Sequence, residues 1–277
     1  MALSQGTVHL LGMLKRFAFL VYGVACYLIF FGTFLYAIGF IGGFGVPKTL
    51  DGAANSPTGI ALAVDAALLG LFAIQHSVMA RAWFKERWTR LVPWPVERST
   101  YVLFSSLALL ALFRFWQPLG GSVWSVGDAT GRLALFSLFA FGWGLVLVCT
   151  FLINHFDLFG LRQVWLFATG RPYTQLRFAT PGPYRLVRHP LYVGWFFAFW
   201  MTPTMTVSHL FFAIATTAYI LVAIQFEERD LVREHGRAYD DYRRRVPMLW
   251  PFRRRPSEAS ALGVPAGVER RADEPSY

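Results

Sequence analysis

Long apolar runs separated by short polar stretches dominate the pattern along the chain. Four runs reach the roughly 20 apolar residues that a membrane-spanning helix needs, and they lie at residues 17–41, 58–80, 100–118 and 133–153. Backbone polar groups must be paired inside hydrocarbon, so these runs are predicted to be helices. The first run follows Lys15 and Arg16 and lacks a small-residue cleavage site, so we expect it to be retained.

A fifth apolar stretch, Leu191 to Phe226, is too long for one helix and contains Pro203. Proline breaks or kinks a helix near the residue that precedes it. The stretch is therefore predicted to form a helical hairpin with arms at about 191–202 and 206–226. The expected fold class is all-α: a polytopic membrane bundle of about five to six transmembrane helices that ends in this hairpin.

Composition supports a membrane protein, with 55% hydrophobic residues, 15% charged residues and a mean hydropathy of +0.43. Soluble domains are usually about 45–50% apolar and about 25% charged, which argues against a water-soluble enzyme. The 17% of aromatic residues argue against a disordered chain. Cys26 and Cys149 both lie in apolar runs and are too few for a disulfide framework.

The net charge of +10 first suggests nucleic acid, but its distribution favours another explanation. If the loops alternate sides, one side carries 23 of the 26 Lys and Arg residues. Cytoplasmic loops collect basic residues, so both termini are expected in the cytoplasm, with anionic lipid as a possible contact. We expect no nucleic-acid partner and infer no obligate protein partner. Residues 256–277 lack periodicity and are predicted to be a disordered tail.

Several ionisable residues interrupt the apolar runs, where each costs about 2.5–3.5 kcal/mol on insertion. Asp65 and His76 lie in the second run, and His155 and Asp157 follow the fourth. The two histidines could meet at one membrane depth. Acid–base work, metal or haem ligation, and plain hydrogen bonding at the interface remain open for them. No HxxxH or CxxC spacing is present, so we predict no metal site.

Two motifs flank the predicted hairpin and must be neighbours, because a hairpin returns to the side where it began. The first runs from Gly182 to Gly194, and the second begins at Glu227. Pro190 at the start of a helix leaves backbone donors free to face an anion, while Tyr239 and Tyr242 share a helical face. Aromatic faces, a cation and a carboxylate predict a pocket. S-adenosylmethionine, a lipid headgroup or a structural ion-pair cluster would fit these residues.

The motifs themselves resemble a known family over residues 176–247. The pattern Tyr184-x-x-x-Arg188-His-Pro-x-Tyr192-x-Gly194, followed by Glu227-Glu-x-x-Leu231, Gly236-x-x-Tyr239-x-x-Tyr242 and Val246-Pro247, resembles the membrane methyltransferases related to isoprenylcysteine carboxyl methyltransferase. The remainder is similar to the bacterial NnrU-like branch, and residues 154–165 resemble the methanethiol S-methyltransferases. Nurim, a nuclear-envelope protein, is a further relative in this resemblance.

The resemblance implies one membrane domain over residues 1–255 in the bacterial inner membrane, with a cytoplasmic cofactor pocket formed by about 154–252. It implies that S-adenosylmethionine is bound by Leu176, Arg177, Phe178, Ala179, Tyr184, His189, Pro190, Leu191, Tyr192 and Glu227, beside the pocket tyrosines Tyr239 and Tyr242. Three positions depart from the isoprenylcysteine pattern. They are Ala223 in place of a carboxylate-reading arginine, His235 in place of a phenylalanine, and Met248 in place of an arginine.

The activity implied is transfer of a methyl group from S-adenosylmethionine to a small volatile thiol, above all methanethiol, which would give dimethyl sulfide. A thiol must lose its proton to become a strong nucleophile, so a base is useful. We expect His155 to be that base with Asp157 orienting it, and His76 to be the second candidate. A lipid or prenyl acceptor, or a nurim-like protein without enzymatic activity, are the alternatives.

Overall fold

The computed structural model describes residues 5–252, so the predicted tail at 256–277 lies outside the described residues. In chain order the elements are α1 (Gln5–Gly42), α2 (Thr58–Ala80), α3 (Ala82–Trp88), α4 (Trp94–Phe115), β1 (Ser122–Ser125), α5 (Ala129–Ile153), α6 (His155–Leu158), α7 (Leu161–Ala168), a 3₁₀ turn (Gly182–Arg185), α8 (Pro190–Trp200), β2 (Thr204–Thr206), α9 (Val207–His235) and α10 (Arg237–Arg245).

Five of these helices, α1, α2, α4, α5 and α9, are long and apolar enough to cross a membrane. Their outer faces expose large apolar side chains such as Leu28, Ile74 and Leu133, which suits hydrocarbon rather than water. The chain is therefore a helical integral membrane protein, and the predicted fold class is confirmed. The bounds differ most clearly at three helix ends. The first helix begins 12 residues before the predicted run, and α9 continues nine residues past the predicted end of its arm. The helix α4 begins six residues before the predicted run, because Trp94-Pro95 starts a helix well and Glu97 lies in its first turn.

The predicted C-terminal hairpin is also confirmed, with α8 and α9 as its arms. The 11 residues of α8 extend about 16 Å, roughly half of a hydrocarbon layer of about 30 Å. The extended residues after it reach the opposite end of the bundle, where β2 pairs antiparallel with β1. There α9 begins with a cap, because the Thr206 hydroxyl accepts a hydrogen bond from the His209 N–H at 3.1 Å.

The short arm α8 is held by close contact with α5. A Cβ atom added at Gly142 would lie 2.6 Å from the Ala198 nitrogen, and one added at Gly194 would lie 2.8 Å from the Gly142 oxygen. Both distances are below any normal contact, so only glycine lets the two backbones approach this closely. This contact explains the glycine that ends the first motif and fixes the position of the residues before it.

The opposite end of the bundle from the β1–β2 pair carries the polar connections. The short helices α3, α6 and α7, the 3₁₀ turn and α10 all lie there, since they join the ends of α2, α5 and α9 that share this side. The connection between α5 and α8 is thus partly helical. It brings the motifs on either side of the hairpin together at one end.

Candidate functional site

The two motifs meet through backbone pairing. The N–H groups of Arg188 and His189 donate to the carbonyl oxygens of Pro247 and Met248 at 2.8 and 3.1 Å. The Arg188 guanidinium also donates to the Val246 carbonyl oxygen at 2.7 Å. The predicted contact between the motifs is therefore confirmed, and Arg188 has a structural role in it, because it holds the segment after α10 against the start of α8.

The adjacent glutamates of the second motif have different surroundings. Glu228 is buried and accepts hydrogen bonds from Arg188 Nε at 2.7 Å and from His189 Nε2 at 3.1 Å. Glu227 is 44% exposed, and its Oε2 accepts a hydrogen bond from the Tyr192 hydroxyl at 2.8 Å. No hydrogen bond from residues 5–252 reaches its other oxygen. Glu228 thus belongs to an internal ion-pair cluster, while Glu227 presents a carboxylate that is free to bind a cation.

Aromatic rings from two segments, the stretch around Phe178 and helix α10, pack together near this carboxylate. The Phe178 ring lies edge-on to Tyr239 and Tyr242, with centroids 5.8 and 5.6 Å apart. The Tyr242 hydroxyl donates to the Tyr184 carbonyl oxygen at 2.6 Å. Burial raises the pKa of Tyr242 to about 12 and raises that of Tyr239 as well, so both stay protonated at neutral pH. The buried Tyr239 hydroxyl has no hydrogen-bond partner in the described part of the chain, and an unpaired buried donor is costly.

The remaining residues predicted to bind the cofactor lie in the segment around Phe178 and at the start of α8. Leu176, Arg177 and Ala179 are exposed on an irregular segment, and Phe178 between them is half-buried. The segment is tied to α9 by Gln175 Nε2, which donates to Glu234 Oε1 at 2.6 Å. The first residues of α8 are Pro190, which is buried, and Leu191, which is half-buried.

His155 does not have the partner that the sequence suggested. Its ring is buried, with Nδ1 2.8 Å from the Thr150 hydroxyl and Nε2 2.9 Å from the Tyr27 hydroxyl. Asp157 instead accepts a hydrogen bond from Arg162 at 2.8 Å and a weaker one from Tyr173. The expectation that Asp157 orients His155 is wrong, because two hydroxyls occupy the imidazole and an arginine occupies the carboxylate. Burial lowers the pKa of His155, which keeps it neutral.

His76 lies in a separate polar cluster on α2 and α4. Its Nδ1 is 3.2 Å from the Ser105 hydroxyl, and the Tyr101 hydroxyl lies 3.0 and 3.1 Å from its two ring nitrogens. No hydrogen bond or ring contact within residues 5–252 joins His76 to His155, so the two histidines are not brought together. Within the same residues no group of three or more metal-binding side chains is present.

Sequence reasoning missed the hydroxyl residues around both histidines. Tyr27, Thr150, Tyr101 and Ser105 lie in apolar helices, where each looks like an ordinary membrane residue. Tyr219 was also missed, although its place two turns before Glu227 on α9 offered a clue.

The five long apolar helices, with an exposed carboxylate and packed aromatic rings at one end of the bundle, define the class of a polytopic membrane protein. Comparison with known proteins adds the family. The chain is 59% identical to the methanethiol S-methyltransferase of Crocosphaera subtropica over 239 residues, which cover 86% of this chain and 94% of the relative. It is 54% identical to the methanethiol S-methyltransferase of Mycobacterium tuberculosis over 242 residues, which cover 87% and 99%.

A more distant similarity connects the chain to nurim of Rattus norvegicus, at 32% identity over 181 residues that cover 61% of this chain and 68% of nurim. No family model and no solved structure matches the chain. The identity and coverage of the bacterial relatives decide the family: the chain belongs to the methanethiol S-methyltransferases.

Proposed function

We propose that this protein transfers a methyl group from S-adenosylmethionine to methanethiol and releases dimethyl sulfide and S-adenosylhomocysteine. The observation that carries the proposal is the 59% identity with a relative of that name over 94% of the relative's length. S-adenosylmethionine takes part as a substrate and supplies the methyl group. The protein aligns it with the thiol and keeps water away.

The described residues fit the donor chemically. The free oxygen of Glu227 can pair with an amine, and Tyr192 holds that carboxylate in place. The half-buried ring of Phe178 offers a face to a sulfonium cation, and the buried rings of Tyr239 and Tyr242 pack against Phe178 and hold it in place. The unpaired Tyr239 hydroxyl supplies a donor for a ligand acceptor atom. On this proposal Leu176 to Ala179 complete the pocket from the exposed side.

The acceptor is proposed to be a small neutral thiol rather than a prenyl carboxylate. A carboxylate acceptor needs a cation, and residues 207–226 of α9 contain no lysine or arginine. Ala223, one turn before Glu227, carries no charge that could bind an acceptor carboxylate on that face of the helix. Methanethiol has two heavy atoms, and at about 1.5 kcal/mol per heavy atom at most it binds weakly, so a high KM is expected.

The proposed orientation places both termini and the candidate site in the cytoplasm, with residues 1–255 forming one domain of a bacterial inner-membrane protein. Supply of the donor supports it, because S-adenosylmethionine is made inside the cell. The division of 23 basic residues on one side against three on the other supports it independently.

The test uses purified protein in detergent, S-adenosylmethionine with a labelled methyl group, and a panel of methanethiol, longer alkanethiols and a prenylcysteine. We expect labelled dimethyl sulfide in the headspace with methanethiol, and rates that fall with chain length. Labelled methyl ester on the prenylcysteine without volatile product would overturn the thiol proposal. Binding of S-adenosylmethionine without transfer to any acceptor would overturn the enzymatic one.

A further inference from the structure

Five polar side chains form a cluster among the apolar helices α2, α4 and α9, and we call it the hydroxyl cluster: His76, Ser77, Tyr101, Ser105 and Tyr219. A hydrogen bond connects His76 with Ser105, the Tyr101 hydroxyl lies 3.0 Å from His76 Nδ1, and the hydroxyls of Ser77 and Tyr219 are 3.1 Å apart. Polar side chains inside a membrane protein are costly and usually functional.

The hydrogen bonds fix which ring nitrogen of His76 carries the proton. The Ser105 hydroxyl donates its only hydrogen to the Tyr101 carbonyl oxygen at 3.0 Å. It must therefore accept a hydrogen bond from His76 Nδ1–H, so Nε2 keeps its lone pair. The Tyr101 hydroxyl lies almost equally far from both nitrogens, which places it off the axis of that lone pair. Nε2 is thus able to accept a proton from a ligand.

The same reasoning gives the opposite result for His155. The Thr150 hydroxyl donates to the Leu147 carbonyl oxygen at 2.7 Å and must accept from His155 Nδ1–H. The Tyr27 hydroxyl, which is 2.9 Å from Nε2, then donates to the remaining lone pair. Phe151 also stacks on the ring at 4.2 Å. Both nitrogens of His155 are engaged, so it is a satisfied structural histidine.

The hydroxyl cluster adjoins the candidate donor site through α9. Tyr219, Ala223 and Glu227 follow one another at intervals of four residues and share one face of that helix. The Tyr192 hydroxyl, which binds Glu227, lies close enough to the Tyr219 and Tyr101 hydroxyls to interact with them electrostatically. Beyond the cluster, Arg81 of the α2–α3 junction pairs with Asp230 of α9 at 2.7 Å. These contacts hold His76 on the side of α9 that carries Glu227.

We propose that His76 Nε2 accepts the proton of the thiol substrate, with Ser105 and Tyr101 as positioning residues. This assignment rests on the proposed function. In the step, the S–H bond of methanethiol breaks and its proton goes to Nε2. A sulfur electron pair forms the new bond to the methyl group, the bond from methyl to sulfonium breaks, and its electron pair stays on the departing sulfur of S-adenosylhomocysteine. His76 then returns its proton to water.

The first experiment compares His76→Gln with His155→Gln, using methanethiol and the more acidic trifluoroethanethiol over a range of pH. Loss of a general base costs about 10²–10⁴-fold. We expect the methylation rate of His76→Gln to be at least about 100-fold below wild type with methanethiol near pH 7. The difference in rate should shrink as the pH approaches the thiol pKa, and it should be smaller with the more acidic thiol. The charged or titratable groups nearest to His76 are Arg98 and Tyr101, and Tyr219 lies on the other side of the Phe72 ring.

Affinity for S-adenosylmethionine, measured by calorimetry, should be unchanged in His76→Gln. A second pair of variants makes a smaller change and is matched in burial: Ser105→Ala removes the partner of Nδ1, whereas Ser106→Ala removes a neighbouring serine that bonds only its own helix at Val102. We expect the rate of methanethiol methylation to fall severalfold in Ser105→Ala, with the same pH dependence as in His76→Gln, and to be unchanged in Ser106→Ala.

Two results would overturn the assignment while leaving the proposed function intact. One is full activity in His76→Gln. The other is a His76→Gln rate that is lowered equally with both thiols at every pH, combined with equal rates in Ser105→Ala and Ser106→Ala. A wild-type protein that methylates no thiol would overturn both proposals.

Discussion

The adjacent residues Glu227 and Glu228 allow a sharp test of the site, because the same substitution should have different effects at the two positions. Replacing glutamate by glutamine keeps the size and an acceptor oxygen and removes the charge. At Glu227 the expected loss is in ligand binding. At Glu228 it is in the stability of the fold, because Arg188 and His189 bind this carboxylate from within the protein.

The structure sets the magnitudes. Hydrogen bonds to charged groups contribute about 1.5–3 kcal/mol, and Glu227 is 44% exposed, so we take the lower end of that range. The affinity for S-adenosylmethionine should then fall about tenfold. Glu228 is buried, and breaking a buried ion pair costs about 3–5 kcal/mol. Glutamine keeps one acceptor, so we expect a loss of about 2–3 kcal/mol in the free energy of unfolding.

Calorimetric titration with S-adenosylmethionine and thermal melting in detergent measure the two effects on the same samples. The melting temperature of Glu227→Gln should stay within a degree or two of wild type, and that of Glu228→Gln should fall by about 2–4 °C per kcal/mol. The reverse pattern, with weaker binding in Glu228→Gln and a destabilised Glu227→Gln, would refute the assignment of the ligand carboxylate to Glu227. Equal binding in all three proteins would remove Glu227 from the site.

Three further predictions follow from packing, charge and burial. Gly194→Ala should lower the melting temperature clearly, because its Cβ would meet the α5 backbone, whereas Gly144→Ala on α5 faces open space and should have little effect. Reporter fusions after residues 98 and 175 should report cytoplasm, and fusions after residues 52 and 125 the periplasm; the opposite pattern would exclude the proposed orientation. Burial lowers the pKa of His155 below the unfolded value of about 6.5, so the unfolded state binds the proton first. Stability measured by melting should therefore be full above that pH and fall as the pH drops below it, and His155→Gln should lose this acid dependence.

The spans and the hairpin could be predicted from the sequence because each depends on local composition. A run of about 20 apolar residues has one stable form in hydrocarbon, and Pro203 marks the turn between α8 and α9. The meeting of Arg188 with the segment after α10 followed from topology alone, since a hairpin returns to its starting side. The exact partners did not follow, and the pairing of Arg188 with three different groups was visible only in the structure.

The histidine partners could not be predicted because they depend on how distant helices are rotated against each other. His155 and Asp157 are two residues apart, which suggested a pair. Yet the hydroxyl that is hydrogen-bonded to His155 Nε2 belongs to Tyr27, which is 128 residues away in the chain. Local spacing says which side chains can meet on one helix, but it says nothing about a helix that packs from elsewhere in the chain. The same limit concealed the neighbours of His76.

The arrangement of the candidate site can be traced to two purely geometric facts. Consecutive residues on a helix point about 100° apart, so Glu227 and Glu228 point in different directions. Glu228 can therefore belong to the ion-pair cluster while Glu227 stays partly exposed. Tyr192 must then approach Glu227 from α8, a helix too short to be held by length alone. The Gly142–Gly194 contact supplies that hold, since it fixes both the height and the rotation of α8 against α5. The glycine two residues after Tyr192 therefore positions the hydroxyl that orients the candidate ligand carboxylate, and the packing of the membrane helices sets the geometry of the site.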